Sequence, residues 1–121
     1  MKAIFYIFIG GGLGSVMRFL VSNYTQKLWS VNSFPMGTFA VNIIGCLLIG
    51  FFSGYFLKTD NYLKFLLITG FCGGFTTFST FAAENMSLIQ SGNYWILLLY
   101  IILSVIVGVG AVYLGLNFSR S

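Results

Sequence analysis

A chain of 121 residues with 58% hydrophobic residues, 7% charged ones and a single proline lacks the polar matter to cover a soluble globule, because soluble domains hold about 25% charge. Its formal charge of +4 comes from scattered cations with no cluster suited to nucleic acid or to a polybasic lipid site, and it has no histidine, the commonest metal ligand and proton shuttle. What remains is an integral membrane protein, all-α, with length for about four spans of roughly 20 residues joined by short connections.

The first span is expected over about residues 2–22 and includes Gly10-Gly11-Gly12-Leu13-Gly14. Gly10 and Gly14 have the small-xxx-small spacing that lets another helix approach closely. The stretch from Gly10 to Arg18 does not read as a cleavage region, so this is a retained span and not a signal peptide. Arg18 follows one turn after Gly14, either snorkelling at the membrane edge or standing at a vestibule where it concentrates anions. Asn23 to Ser33 is polar enough for a loop, with Trp29 suited to the interface.

A second span is expected over about residues 35–57, with Pro35 in its first turn. Thr38 and Asn42 are four residues apart and share a face with Gly45 close by. An asparagine this deep is either interhelical glue or an amide whose N–H2 donates to an anion in a pore. Gly50 and Gly54 repeat the close-packing spacing. Cys46, like Cys72 further on, falls in an apolar stretch and reads as a small buried hydrophobe, not as part of a disulfide or metal pair.

Lys58-Thr59-Asp60-Asn61 is the tightest hydrophilic break, and Asp60 reads as a solvated loop charge. The third span, about residues 62–89, contains Gly-Phe-Cys-Gly-Gly-Phe-Thr-Thr-Phe-Ser-Thr-Phe from Gly70 to Phe81. The glycine pair weakens a helix, and the run of hydroxyls needs partners. Non-helical backbone survives in lipid only where protein buries it or where it lines a cavity. The glycine pair alone could be a packing notch, but the adjacent threonines favour a helix broken near its middle. Phe78, Phe81 and Glu84 recur at three-residue steps and form one approximate stripe; phenyl rings at helical spacing are ordinarily packing. An acid at a helix centre costs about 2.5–3.5 kcal/mol, which places Glu84 near a mouth or a wet cavity.

Gln90 to Asn93 lead into a last span over about residues 94–117, where Tyr100, Ser104 and Gly108 form a narrow polar and small face. If both ends are cytoplasmic, Lys2, Lys58, Lys64 and Arg120 face Lys27 and Arg18 across the membrane, a small bias by the positive-inside rule. A weakly oriented chain can insert both ways, and four thin glycine-rich helices make a poor pore alone. Both points favour a dimer with antiparallel subunits.

The inventory excludes most enzymes: there is no Ser-His-Asp set, carboxylate pair, phosphate-binding loop or thiolate cluster. Transport remains, and the intramembrane polar groups are hydroxyls, an amide and phenyl edges. The edge of a phenyl ring is positive and N–H2 and O–H groups donate, so this set suits an anion leaving water.

The motifs Gly-Gly-Leu-Gly-Ser-Val-Met-Arg in the first span, Gly-Thr-Phe-Ala-Val-Asn-Ile-Ile-Gly in the second and the twelve residues from Gly70 to Phe81 in the third resemble the bacterial fluoride channels of the CrcB or Fluc family. The likeness covers essentially the whole chain, and the third motif is the specific one. It implies a multi-pass protein of the bacterial cell (inner) membrane that passes fluoride outward passively and so limits its toxicity. It also implies an antiparallel, dual-topology homodimer with two pores, and a structural Na+ at the dimer centre held by the backbone carbonyls of Gly73 and Thr76. Phe78 and Phe81 match the family's phenylalanine pair and Asn42 its pore amide. Ser79, Thr80, Tyr100 and Ser104 match its hydroxyl track, with Thr38 and Glu84 nearby, and Arg18 its vestibule arginine. Gly108 departs from a hydroxyl found in some members. The competing readings are a small dual-topology multidrug exporter coupling protons through Glu84, and a non-conducting assembly subunit.

Overall fold

The computed structural model describes residues 2–28, 34–56, 63–76 and 78–120. Among these the chain is all-helical where it is regular: α1 (Lys2–Leu28), α2 (Met36–Tyr55), α3 (π-wound Phe65–Cys72 continuing as an α turn, Gly73–Phe75), α4 (Phe78–Gln90) and α5 (Tyr94–Arg120). Four stretches are long and apolar enough to cross a membrane, with α3 and α4 together supplying the third. The polar break at Lys58-Thr59-Asp60-Asn61, the interfacial Trp29 and the expected third-span start at Tyr62 lie outside the described residues.

Helix α1 runs on to Leu28, six residues past the expected end of the first span. Asn23-Tyr24-Thr25-Gln26-Lys27 contains no Gly or Pro to stop a helix. Its end is also tied down, because Gly37 N–H donates to Gln26 Oε1 at 3.0 Å. Helices α1 and α5 have 27 residues each, about 40 Å of rod against a hydrocarbon core of about 30 Å, so they tilt or project into the interface. Pro35 stands one position before α2, at its N-cap and not in its first turn.

Two close-packed pairs organise the bundle, α1 along α3 and α2 along α5. Glycine is what permits both. A Cβ at Gly10 would overlap the Leu66 carbonyl oxygen and lie 2.9 Å from Phe71 N, and one at Gly14 would lie 2.9 Å from Phe75 N. On the other side, a Cβ at Gly115 would lie 2.8 Å from Phe51 N and one at Gly54 would lie 3.0 Å from Leu116 O. Where lipid already solvates apolar side chains, such backbone-to-backbone approach is the main gain in helix association. The interior is correspondingly thin, with Val41, Cys72 and Tyr100 fully buried and Phe75 and Leu88 nearly so.

Helix α4 closes with an αL glycine. Gly92 has φ +79, Gly92 N–H donates to Ile89 O and Asn93 N–H to Leu88 O, the paired bonds of a Schellman end. This turn sends α5 back antiparallel to α4. Much of α4 remains uncovered: Phe78, Ser79, Ala82, Ala83, Met86 and Ser87 are all exposed.

Candidate functional site

Glu84 sits where α2, α4 and α5 meet. Thr38 Oγ1 donates to its Oε2 at 2.8 Å, and Tyr100 O–H donates to its Oε1 at 2.9 Å. Both carboxylate oxygens are thus engaged by hydroxyls, and charge-assisted bonds of this kind are the strong ones. The Tyr100 ring is fixed between Phe81, 4.9 Å away between centroids, and Phe34, edge-on at 5.4 Å. Thr38 also lines a pocket of about 90 Å³ with Arg18, Ser22, Asn23 and Thr80, room for several water molecules. Glu84 does not itself line this pocket; its link to it is the hydrogen bond from Thr38.

A second, larger space opens along the chain's side. A groove of about 340 Å³ is lined by Asn42, Thr76, Phe78, Phe81 and Ser104, with Cys46 among its neighbours. The Phe78 and Phe81 rings stand 6.0 Å apart, tilted by 40°. Ser104 Oγ is buried without a hydrogen-bond partner, so a donor is available beside the Asn42 amide. Phe78 is 79% exposed, and a single copy therefore leaves the groove open on that side.

Between the two spaces lies the α3–α4 junction. Thr76 has φ −89 and ψ 153, extended backbone after a helical run, and helix resumes at Phe78. Thr76 N–H and Oγ1–H both donate to Cys72 O, at 3.0 Å and 2.8 Å. Arg18 Nε donates to Gly74 O at 3.1 Å. A Cβ at Gly45 would overlap the Thr76 methyl group, so α2 can meet this junction only through a glycine.

The residues singled out in the sequence thus fall into three groups. Asn42, Thr76, Phe78, Phe81 and Ser104 share the groove. Thr38, Glu84 and Tyr100 are hydrogen-bonded together, and Arg18 and Thr80 meet Thr38 at the smaller pocket. Ser79 and Gly73 are exposed and join neither space. Consecutive helical residues diverge by about 100°, which is why Ser79 and Thr80 do not follow one path within a single copy. Backbone carbonyls, such as those of Gly73 and Thr76, are hard oxygen donors of the kind that ligate alkali or alkaline-earth cations.

Cys46, expected to be a buried small hydrophobe, is only partly buried, and Asn85 was passed over in the sequence. Cys46 lines the groove one helical turn after Asn42, a spacing that places it on the amide's face. Asn85 holds a buried Oδ1 without a partner, and its place four residues after Phe81 was the available signal.

Comparison with known proteins covers nearly the whole chain. The family described as "CrcB-like protein, Camphor Resistance (CrcB)" matches residues 5–116. The protein named "Fluoride-specific ion channel FluC" of Flavobacterium psychrophilum is 54% identical over 123 aligned positions, covering 99% of this chain and 98% of its own length. Proteins of the same name from Azobacteroides pseudotrichonymphae and Maridesulfovibrio salexigens are 49% and 42% identical, covering 95% and 99% of this chain and 94% and 97% of their own lengths.

Proposed function

The chain belongs to the CrcB family, and from that premise we propose that it is a fluoride-specific ion channel of the bacterial cell membrane that lets F− leave the cell passively. The convergence of Asn42, Ser104, Phe78 and Phe81 on one intramembrane groove carries this assignment. Fluoride is small and strongly hydrated, and a bare ion in low dielectric is very costly. Its water is replaced by the Asn42 N–H2, by the spare Ser104 hydroxyl and by the positive edges of the two phenyl rings. Arg18 raises anion concentration at the pocket it shares with Thr38 and Thr80, Tyr100 and Glu84 complete the polar surroundings, and Ser79, outside both spaces of one copy, is left for contact with a second.

The open groove calls for a second copy. Ser79, Ala82, Ala83 and Met86 follow one another at i, i+3, i+4 and i+7 on an uncovered face of α4, a small-residue surface of the kind that packs another helix. Two antiparallel copies meeting there close two equivalent pores, and the weak cation bias across the spans suits insertion in both senses. The interruption between Phe75 and Phe78 is then a functional break in the third span. Gly73 and Thr76 of each copy supply four carbonyl oxygens, a set that fits a structural Na+ on the two-fold axis. When bound, such an ion neutralises carbonyl dipoles turned toward each other at the dimer centre.

Proton-coupled drug export through Glu84 is not favoured, since both carboxylate oxygens are held by hydroxyl donors and the relatives are named as fluoride channels. Purified protein in fluoride-loaded liposomes tests the assignment with a fluoride electrode. Efflux of fluoride without efflux of chloride is the expected result; vesicles that keep their fluoride would end the assignment.

A further inference from the structure

The end of α3 leaves backbone carbonyls without helical partners, as every helix end does. In a membrane those groups need a protein partner, because no water reaches them from lipid. Cys72 O is taken by Thr76, but Gly74 O is reached from another helix, by the Nε–H of Arg18, 56 residues away in sequence. The sequence spacing explains the reach. Gly10, Gly14 and Arg18 recur every four residues along one face of α1. The two glycines bring the α1 backbone against α3 at Leu66, Phe71 and Phe75, and a Cβ at Gly74 would lie 2.5 Å from Gly11 O. The next position on that face is therefore beside the last turn of α3, where only a side chain directed along the helix can fill the gap.

We propose that Arg18 is a positioning residue that clamps the α3–α4 junction, in addition to being a cation at the pocket mouth. Its guanidinium has five N–H donors in a fixed fork. One of them, on Nε, secures Gly74 O, while the same side chain lines the pocket shared with Thr38 and Thr80. The clamp fixes where the backbone leaves the helix at Thr76, and thereby where Thr76 lies against Gly45 and in the groove. A positive side chain also complements the negative end of α3. Lysine carries its charge on one compact group and serves the carbonyl or the pocket, not both.

Amide hydrogen exchange and fluoride efflux, measured on the full-length protein, separate the clamp from a pure field effect. Arg18→Met keeps length and removes both donor and charge. The clamp predicts exchange faster on the order of tenfold in the peptide from Gly74 to Phe81, with Tyr94–Arg120 unchanged, together with loss of flux. It further predicts that Arg18→Lys rescues flux or junction protection, not both. Junction exchange that stays within twofold of the wild type in Arg18→Met, or full rescue of both readouts by lysine, would overturn the clamp. Should the methionine variant fail to fold, Arg18→Gln, uncharged and too short to bridge both places, is read by the same criterion. The flux arm rests on the fluoride-channel assignment, but the exchange arm does not. A wild-type protein that passes no fluoride would undo the assignment and leave the clamp to be judged by exchange alone.

Discussion

Phe78 and Phe81 are three residues apart and differ sharply in surroundings. The Phe81 ring rests on Tyr100 at 4.9 Å, whereas Phe78 is 79% exposed. Replacing either by isoleucine removes a positive ring edge from the groove, and an aromatic contact is worth about 0.5–1.5 kcal/mol. Fluoride efflux is therefore expected to fall by up to about tenfold per ring. Phe81→Ile should also lower the melting temperature of the detergent-solubilised protein more than Phe78→Ile does, since Phe81 packs on Tyr100 as well as on Phe78 while Phe78 is largely exposed. Normal efflux in both variants would remove the rings from the path. Glu84 gives a contrasting case. Thr38→Val takes one donor from a half-buried carboxylate, and hydrogen bonds to charged groups contribute about 1.5–3 kcal/mol. Glu84→Gln keeps an oxygen for one hydroxyl and an N–H2 to which the other can turn. The valine variant should thus be the less stable of the two by thermal unfolding, and the glutamine variant should still pass fluoride. Spacing put Phe78, Phe81 and Glu84 on one stripe in the sequence, but only the resemblance of the surrounding motif to a channel family pointed them at a pore. The pairing of Thr38 with Glu84 could not be read there, since it depends on how α2 and α4 come together across 46 residues of chain.

At the scale of the helices, hydropathy alone marked four crossings, and the glycine spacings marked which faces meet closely. Gly10 and Gly14 do abut α3, and Gly50 and Gly54 abut α5. The wide winding of Phe65–Cys72 was not legible, because the hydrogen-bond register of a backbone leaves no imprint on side-chain periodicity; such i→i+5 stretches are rare. Nor was the continuation of α1 to Leu28, whose polar last turn reads locally as loop and becomes helix through the Gln26 bond to Gly37. These close approaches divide the glycines of α1 into two kinds. A Cβ at Gly12 would meet nothing within 4 Å, whereas one at Gly10 would run into the Leu66 carbonyl. Gly12→Ala should leave folded yield unchanged or raise it, by the helix gain of about 0.8–1 kcal/mol. Gly10→Ala should cut the monodisperse fraction on size exclusion. Equal yields from the two would mean that α1 and α3 are not in backbone contact.

In one copy of this chain the groove is open where Phe78 stands out, and Ser79, Ala82, Ala83 and Met86 form an exposed strip of α4. Placing that strip against itself in a parallel dimer would put like helix dipoles side by side, whereas an antiparallel pair sets opposite ends together. The proposed dual insertion rests on a small charge bias. If both ends are cytoplasmic, Lys2, Lys58, Lys64 and Arg120 stand against Lys27 and Arg18 in the sequence, and loop cations near the span ends are what set direction. A cysteine added after Ser121 should accordingly react with a membrane-impermeant maleimide in about half of the copies in intact cells, and in nearly all once the cells are opened. Adding three lysines at the N-terminus should bias the population to one face. Fluoride efflux per protein should then drop with it and recover when an oppositely biased copy is co-expressed. Full labelling from one side in the unmodified chain, or undiminished efflux from the biased population, would require the two halves of the conduit to be parallel.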